Sequence, residues 1–130
     1  MRIELDHLSV PAKDRKQAAA LLASLLGVPW AEGDGAPFSP VYVSDSLTLD
    51  FDQAEEPFPI QHYCFRMSPA EFAQVLVRLE SHGIAYRSMP HGPADGLVNT
   101  QYGGQLVYWS LPDGHIWEAL TESYARQPKT

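Results

Sequence analysis

The chain is poor in cysteine, in basic residues and in long apolar runs, and each shortage removes a class of function. A single cysteine, Cys64, rules out an intrachain disulfide and fits a reducing cytoplasm. Nine Lys and Arg face 16 Asp and Glu, for a formal net charge of −7. The basic residues form no extended stripe, so neither nucleic acid nor an anionic membrane is an expected partner. The longest apolar stretch is broken by Ser24 and Gly27, far short of the roughly 20 residues of a membrane span. The opening residues Met1–Asp6 carry no apolar signal region, so a cytoplasmic protein is expected. No nucleophile elbow, phosphate loop or dinucleotide fingerprint is present.

What remains is a chain able to build one interior. Apolar residues make up 45% of 130 positions and charged residues 19%, which excludes a disordered solvating segment and bounds the chain to one domain, 1–130. The patterns predict a strand over 3–10, then a helix over 14–26 with Asp14 as its cap, Gln17 as a capping-box partner and Gly27 as its stop. A Gly- and Pro-rich loop, 28–40, leads to strands near 40–44 and 47–52, and a polar linker follows, Gln53–Pro59. The order then repeats. A strand spans 60–67. Ser68-Pro69-Ala70-Glu71 starts a helix that stops at Gly83. A short strand, 84–88, precedes a long loop, 89–104, and strands 105–111 and 115–121 form a hairpin around Pro112-Asp113-Gly114. His7 lies 20 residues before Gly27, and His62 lies 21 before Gly83. That agreement is the sequence evidence for an internal duplication, with module 1 at about 3–52 and module 2 at about 60–121.

The duplication places His7 and His62 at matching points, while Glu118 sits in the strand that closes the second copy. Side chains alternate along a strand, so Glu118 shares a face with Ile116 and Leu120. An unpaired carboxylate there costs several kcal/mol. A divalent cation would compensate it; so would Arg66, or exposure at a strand end. Two imidazoles and a carboxylate suit Fe(II), Mn(II), Zn(II), Ni(II) or Co(II), and three ligands leave positions open for a substrate. The ordinary role of a strand histidine is packing or hydrogen bonding, and that reading stays open for each residue taken alone. Asp50 matches Glu118 in the first copy and is a fourth candidate ligand, although it shares its face with Thr48 and Asp52, as a solvated face would.

Asp6-His7-Leu8-Ser9-Val10, His62-Tyr63-Cys64-Phe65 and above all Pro112-Asp113-Gly114-His115-Ile116-Trp117-Glu118 resemble the vicinal oxygen chelate superfamily. That group includes glyoxalase I, type I extradiol dioxygenases and the fosfomycin- and bleomycin-resistance proteins. The resemblance covers residues 3–124. It implies an α+β fold of two βαβββ modules whose curled mixed sheets surround a cavity, with His7, His62 and Glu118 as metal ligands. It implies a small oxygenated substrate that chelates the metal, and a homodimer, in some members with ligands given across subunits. The expected function is a metal-dependent lyase, isomerase or dioxygenase. The alternative is a non-catalytic binding or sequestering protein of the bleomycin-resistance type, and a closed structural metal site using Asp50 is a third reading. Cys64, Asn99, Tyr102, Gln105 and Tyr124 are candidate cavity residues. Leu111 replaces the Asp that usually begins the turn, and Gln105 stands where related chains often carry Arg. Loop polarity accounts equally for Asn99 and Tyr102, and a buried inert thiol is the default for Cys64. His91 reads as an exposed loop residue or part of a lid, and His115 as structural or surface. Tyr42, Tyr108, Trp109 and Trp117 read as packing residues.

Overall fold

The computed structural model describes residues 2–126. It divides into two compact units, Met1–Pro59 and Ile60–Thr130. The first holds β1 (His7–Ala12), α1 (Arg15–Leu26), β2 (Phe38–Tyr42) and β3 (Thr48–Gln53). The second holds β4 (His62–Arg66), α2 (Pro69–Ser81), β5 (Tyr86–Arg87), β6 (Leu106–Ser110) and β7 (Ile116–Leu120). Each unit is a helix and a small mixed sheet, an α+β arrangement.

Strand pairing gives the duplication its structural form. In the first unit the order is β1-β3-β2, with β1 parallel and β2 antiparallel to β3. In the second it is β4-β7-β6-β5, with β4 parallel and β6 antiparallel to β7. The place that β5 takes in the second sheet is held in the first by a single bridge, Trp30 to Val41. Pro29 offers no N–H there, and Gly33 and Gly35 turn the chain at φ 71° and 83°, so the segment does not extend into a strand.

The caps explain the helices. Asp14 accepts the Gln17 N–H at 3.2 Å, and Gly27 ends α1 in the left-handed region at φ 71°. Ahead of α2, Ser68 accepts the Glu71 N–H while Glu71 accepts the Ser68 N–H, both at 3.2 Å, with Pro69 in the first turn. Helix α1 lies against all three strands of its sheet, and buries Ala19, Leu22, Ala23 and Leu25 with Val10, Ala12, Val41, Leu49 and Phe51. In the second unit Phe72, Val75 and Leu79 of α2 are buried, as are Val107, Trp109, Trp117 and Ala119 on one sheet face. Tyr63 and Phe65 stack on Trp117 with ring centroids 4.6 and 5.9 Å away. Burial of each large apolar side chain contributes about 1.5–3 kcal/mol.

Two strands differ from the sequence pattern. The first begins at His7 rather than at residue 3, because its partner β3 begins at Thr48, opposite His7; Ile3 and Leu5 are exposed. The segment 84–88 yields only Tyr86–Arg87, because the Ile84 N–H is taken by the Leu79 carbonyl and the Ser88 N–H by Asp95. Tyr42, read as a packing residue, is exposed.

Candidate functional site

The second sheet has one apolar face and one mixed face. Pairing sets His62 opposite Ile116, Cys64 opposite Glu118 and Tyr108 opposite Glu118. These residues, with Leu106, Leu120 and Arg87, therefore share the mixed face. Leu106, Tyr108 and Leu120 cluster there, with Ile116 and Tyr124 packed against them. In that setting Glu118 is fully buried. Its Oε1 is 2.8 Å from His62 Nε2 and accepts the Tyr124 hydroxyl at 2.8 Å. Its Oε2 is buried without a hydrogen-bond partner. Arg66 does not compensate it: that guanidinium is exposed and 3.8 Å from Glu122.

The carboxylate marks its neighbours. Burial, then the hydrogen bond and charge of Glu118, hold the Tyr124 phenol far above its ordinary range. Burial is also the main cause that raises Tyr108, with Glu118 adding to it. The Cys64 thiol is pushed up to about 12 by the protein around the sulfur first and the Glu118 charge second. At neutral pH all three groups keep their protons.

This face opens on a cleft of about 760 Å³, lined by His62, Tyr108, Tyr124, Ile60, Ile116 and Arg87 among others. Cys64, expected as a buried thiol, is exposed, because it opens on a smaller hollow of about 290 Å³ beside Tyr124. Pro90, His91 and Gly92, from the long loop, form one wall of the larger cleft. His115 is buried; its Nδ1 accepts the Gln61 N–H at 3.0 Å, and its ring meets Tyr63 edge-on.

In the first unit the corresponding pair lies differently. His7 stands opposite Thr48, and Asp50 two residues further along, as Glu118 follows Ile116, the partner of His62. His7 is exposed, and its Nδ1 is 2.8 Å from Asp6 Oδ2. That hydrogen bond, then the Asp6 charge and to a lesser extent Asp50, raise the His7 pKa. Asp50 is half-buried.

The remaining sequence candidates are placed as follows. Asn99 is buried, donates to the Ser88 carbonyl at 3.0 Å and accepts the Gln101 N–H at 2.9 Å, so it organises the loop itself. Tyr102 is exposed with its ring 5.3 Å from Tyr124. Gln105 is exposed, and its N–H donates to Thr121 at 2.9 Å. Sequence reasoning missed Arg87 and Ser110 as cleft residues and counted Tyr108 as packing. Only the strand register, unknown before folding, sets them on the sheet face that carries Glu118.

The donor set fits a divalent cation in part. Two ligands around one ion, with bonds of about 2.0–2.1 Å, stand roughly 3 Å apart, close to the separation of His62 Nε2 and Glu118 Oε1. The buried, unpartnered Oε2 is an acceptor in want of a cation or a proton. His7, with Nδ1 turned to a carboxylate, has Nε2 left to ligate. Among the described residues, no group of three or more His, Cys, Asp or Glu gathers at metal-holding distance. No helix among them is long and apolar enough to cross a membrane.

Neither a family model nor a curated protein matches the chain. Solved structures do. The chain is 36% identical to oxidase ChaP-H1, covering 96% of this chain and all of that one with a TM-score of 0.84. It is 32% identical to oxidase ChaP-H2, covering 95% and 97% with a TM-score of 0.88. A glyoxalase/dioxygenase from Nostoc punctiforme shares the fold at 19% identity, with 92% and 91% covered and a TM-score of 0.68.

Proposed function

The chain belongs to the vicinal oxygen chelate superfamily, and from that premise we propose a metal-dependent enzyme acting on a small oxygenated molecule in the cleft of the second unit. His7, His62 and Glu118 are the ligands of a divalent Fe, Mn, Zn, Ni or Co ion. The two modules, about 3–52 and 60–121, serve as one functional domain, and the working form is a cytoplasmic homodimer. The observation that carries this reading is Glu118: a fully buried carboxylate beside an imidazole, with one oxygen unpartnered. Nothing about folding requires so costly a group on that face.

The bound ion would supply Lewis-acid polarisation of a chelating oxygen. The protein's own groups do the rest. Tyr124 holds its proton at Oη and donates it to Glu118 Oε1, so it orients that carboxylate and does not act as a base. Cys64, with its thiol at about 12, is neither a nucleophile nor a thiolate ligand at neutral pH. Ile60, Ile116 and Pro90 cover the apolar part of a ligand and exclude water from it. The relatives named as oxidases and as a glyoxalase/dioxygenase favour oxygen-dependent or isomerase-type chemistry over simple sequestration.

Chelator-stripped protein titrated with Co(II) tests the proposal by visible absorption. The expected result is a saturable one-to-one spectrum that shifts again when catechol is added as a chelating probe. Catechol binding to the stripped protein that Co(II) leaves unchanged would favour the non-catalytic binding module.

A further inference from the structure

The cleft carries a cation that the metal reading does not use. Arg87 lines it, half-buried, in a chain whose net charge is −7. No Asp or Glu is among the lining residues, and no ion pair with a carboxylate involves Arg87 among the described residues. Its fork is fixed: Nε and Nη2 donate to the Pro90 carbonyl at 3.1 and 2.8 Å, and Nη2 donates to Ser110 Oγ at 3.1 Å. Those bonds use three of five N–H donors. Both hydrogens of Nη1 remain, and so does the proton of the Ser110 hydroxyl, which also lines the cleft.

The register gives the spacing. Glu118, Tyr108 and Arg87 form one row across β7, β6 and β5. Two steps between neighbouring strands place the Arg87 backbone roughly 10 Å from that of Glu118. A guanidinium held rigidly through Nε and Nη2, with both Nη1 hydrogens free, is preorganised for an oxyanion.

We propose that Arg87, together with the Ser110 hydroxyl, is an oxyanion anchor. The natural ligand is then an oxygenated molecule that carries a carboxylate or phosphate-like group at the end of the cleft away from Glu118. This deepens the proposed function by naming a substrate class, and it rests on that reading for the identity of the cleft. It also supplies from β5 the positive charge that Gln105 does not offer.

The test uses metal-free protein, so that a failure of the metal assignment leaves the readout intact. Calorimetry compares 2-naphthoate and 2-naphthylphosphonate with neutral 2-naphthamide at low salt. Both anions are expected to bind about tenfold or more tightly than the amide, and whichever shows the larger preference identifies the oxyanion. Arg87→Gln is expected to bring anions and amide within about twofold of each other, and Arg87→Lys to keep part of the preference because charge survives without the fork. Ser110→Ala, which leaves the bonds to Pro90 in place, is expected to lower the preference about threefold. Equal binding of anions and amide by the unaltered protein would overturn the proposal. So would an Arg87→Gln variant that weakens all three probes equally, since that is what a residue serving only to tether Pro90 would do.

Discussion

The two units set an imidazole and a carboxylate at the same register and give them opposite surroundings. His62 and Glu118 lie on a face crowded by Leu106, Tyr108, Leu120 and Tyr124, and the acid is fully buried against the base. His7 is exposed and bonds its sequence neighbour Asp6, while Asp50 is only half-buried. Asp50 is also one methylene shorter. The difference shows what a repeat preserves. Strand pairing fixes which positions share a face; residues outside the sheet, here Tyr124 and the loop that bears Pro90–Gly92, decide whether that face becomes a low-dielectric site. The second unit is thus the chemically poised one, while His7 of the first is exposed to solvent.

The largest expected effect is on metal affinity: Glu118→Ala abolishes stoichiometric binding, whereas Asp50→Ala shifts affinity no more than about threefold, both read by titration of stripped protein. Equal losses would make the two acids equivalent and favour a closed four-ligand site.

Cys64 is exposed, yet its thiol senses the protein and the Glu118 charge beside it. With its thiol pushed up to about 12 against an ordinary 9.0, the thiolate fraction at pH 8 is well below that of a free cysteine, and iodoacetamide should react more slowly. Glu118→Gln is expected to speed alkylation of the metal-free protein about tenfold, since it removes the second cause and leaves burial. The sign for stability follows. The folded pKa lies above the unfolded one, so this contribution is fully present below about pH 9 and is lost as pH rises through about 12. Alkaline unfolding should therefore move to higher pH in Cys64→Ala.

The two histidines should separate in stability where they agree in metal binding. His62→Ala leaves Glu118 buried with one partner fewer and should cost the metal-free protein about 1–3 kcal/mol in urea unfolding. His7→Ala, on an exposed position, should stay within about 0.5 kcal/mol. A further effect is electrostatic. Asp6→Asn should lower the His7 pKa in an NMR titration and weaken metal binding about tenfold, because Asp6 orients the ring.

Much of this was legible in the sequence because local chemistry determined it. Asp14, Gly27, Ser68-Pro69-Glu71 and Pro112-Asp113-Gly114 mark helix ends and a hairpin turn by their own hydrogen bonds and φ preferences, so those boundaries fell close to the observed ones. Glu118 stood out because an acid between Ile116 and Leu120 demands a partner. What stayed hidden depended on pairing between distant segments. Arg87 occupies a strand of only two residues, and its place beside Tyr108 exists only once β5 meets β6. Tyr108 looked like one more packing aromatic until its register with Glu118 was known. The start of the first strand was misjudged because Ile3 and Leu5 alternate correctly but have no opposing strand. Asn99 reads equally as a cavity residue or as ordinary loop polarity, and its amide bonds the loop backbone.

The central claim is that His7, His62 and Glu118 hold one divalent ion. Elemental mass spectrometry on untagged protein, purified without chelators and compared with His7→Ala, His62→Ala and Glu118→Ala after anaerobic reconstitution, addresses it directly. About one Fe, Mn, Zn, Ni or Co per chain is expected, with a near-complete loss in each variant and folding retained by circular dichroism. Retention of metal in two of the three variants, or its absence from the unaltered protein after reconstitution with each ion, would contradict the account.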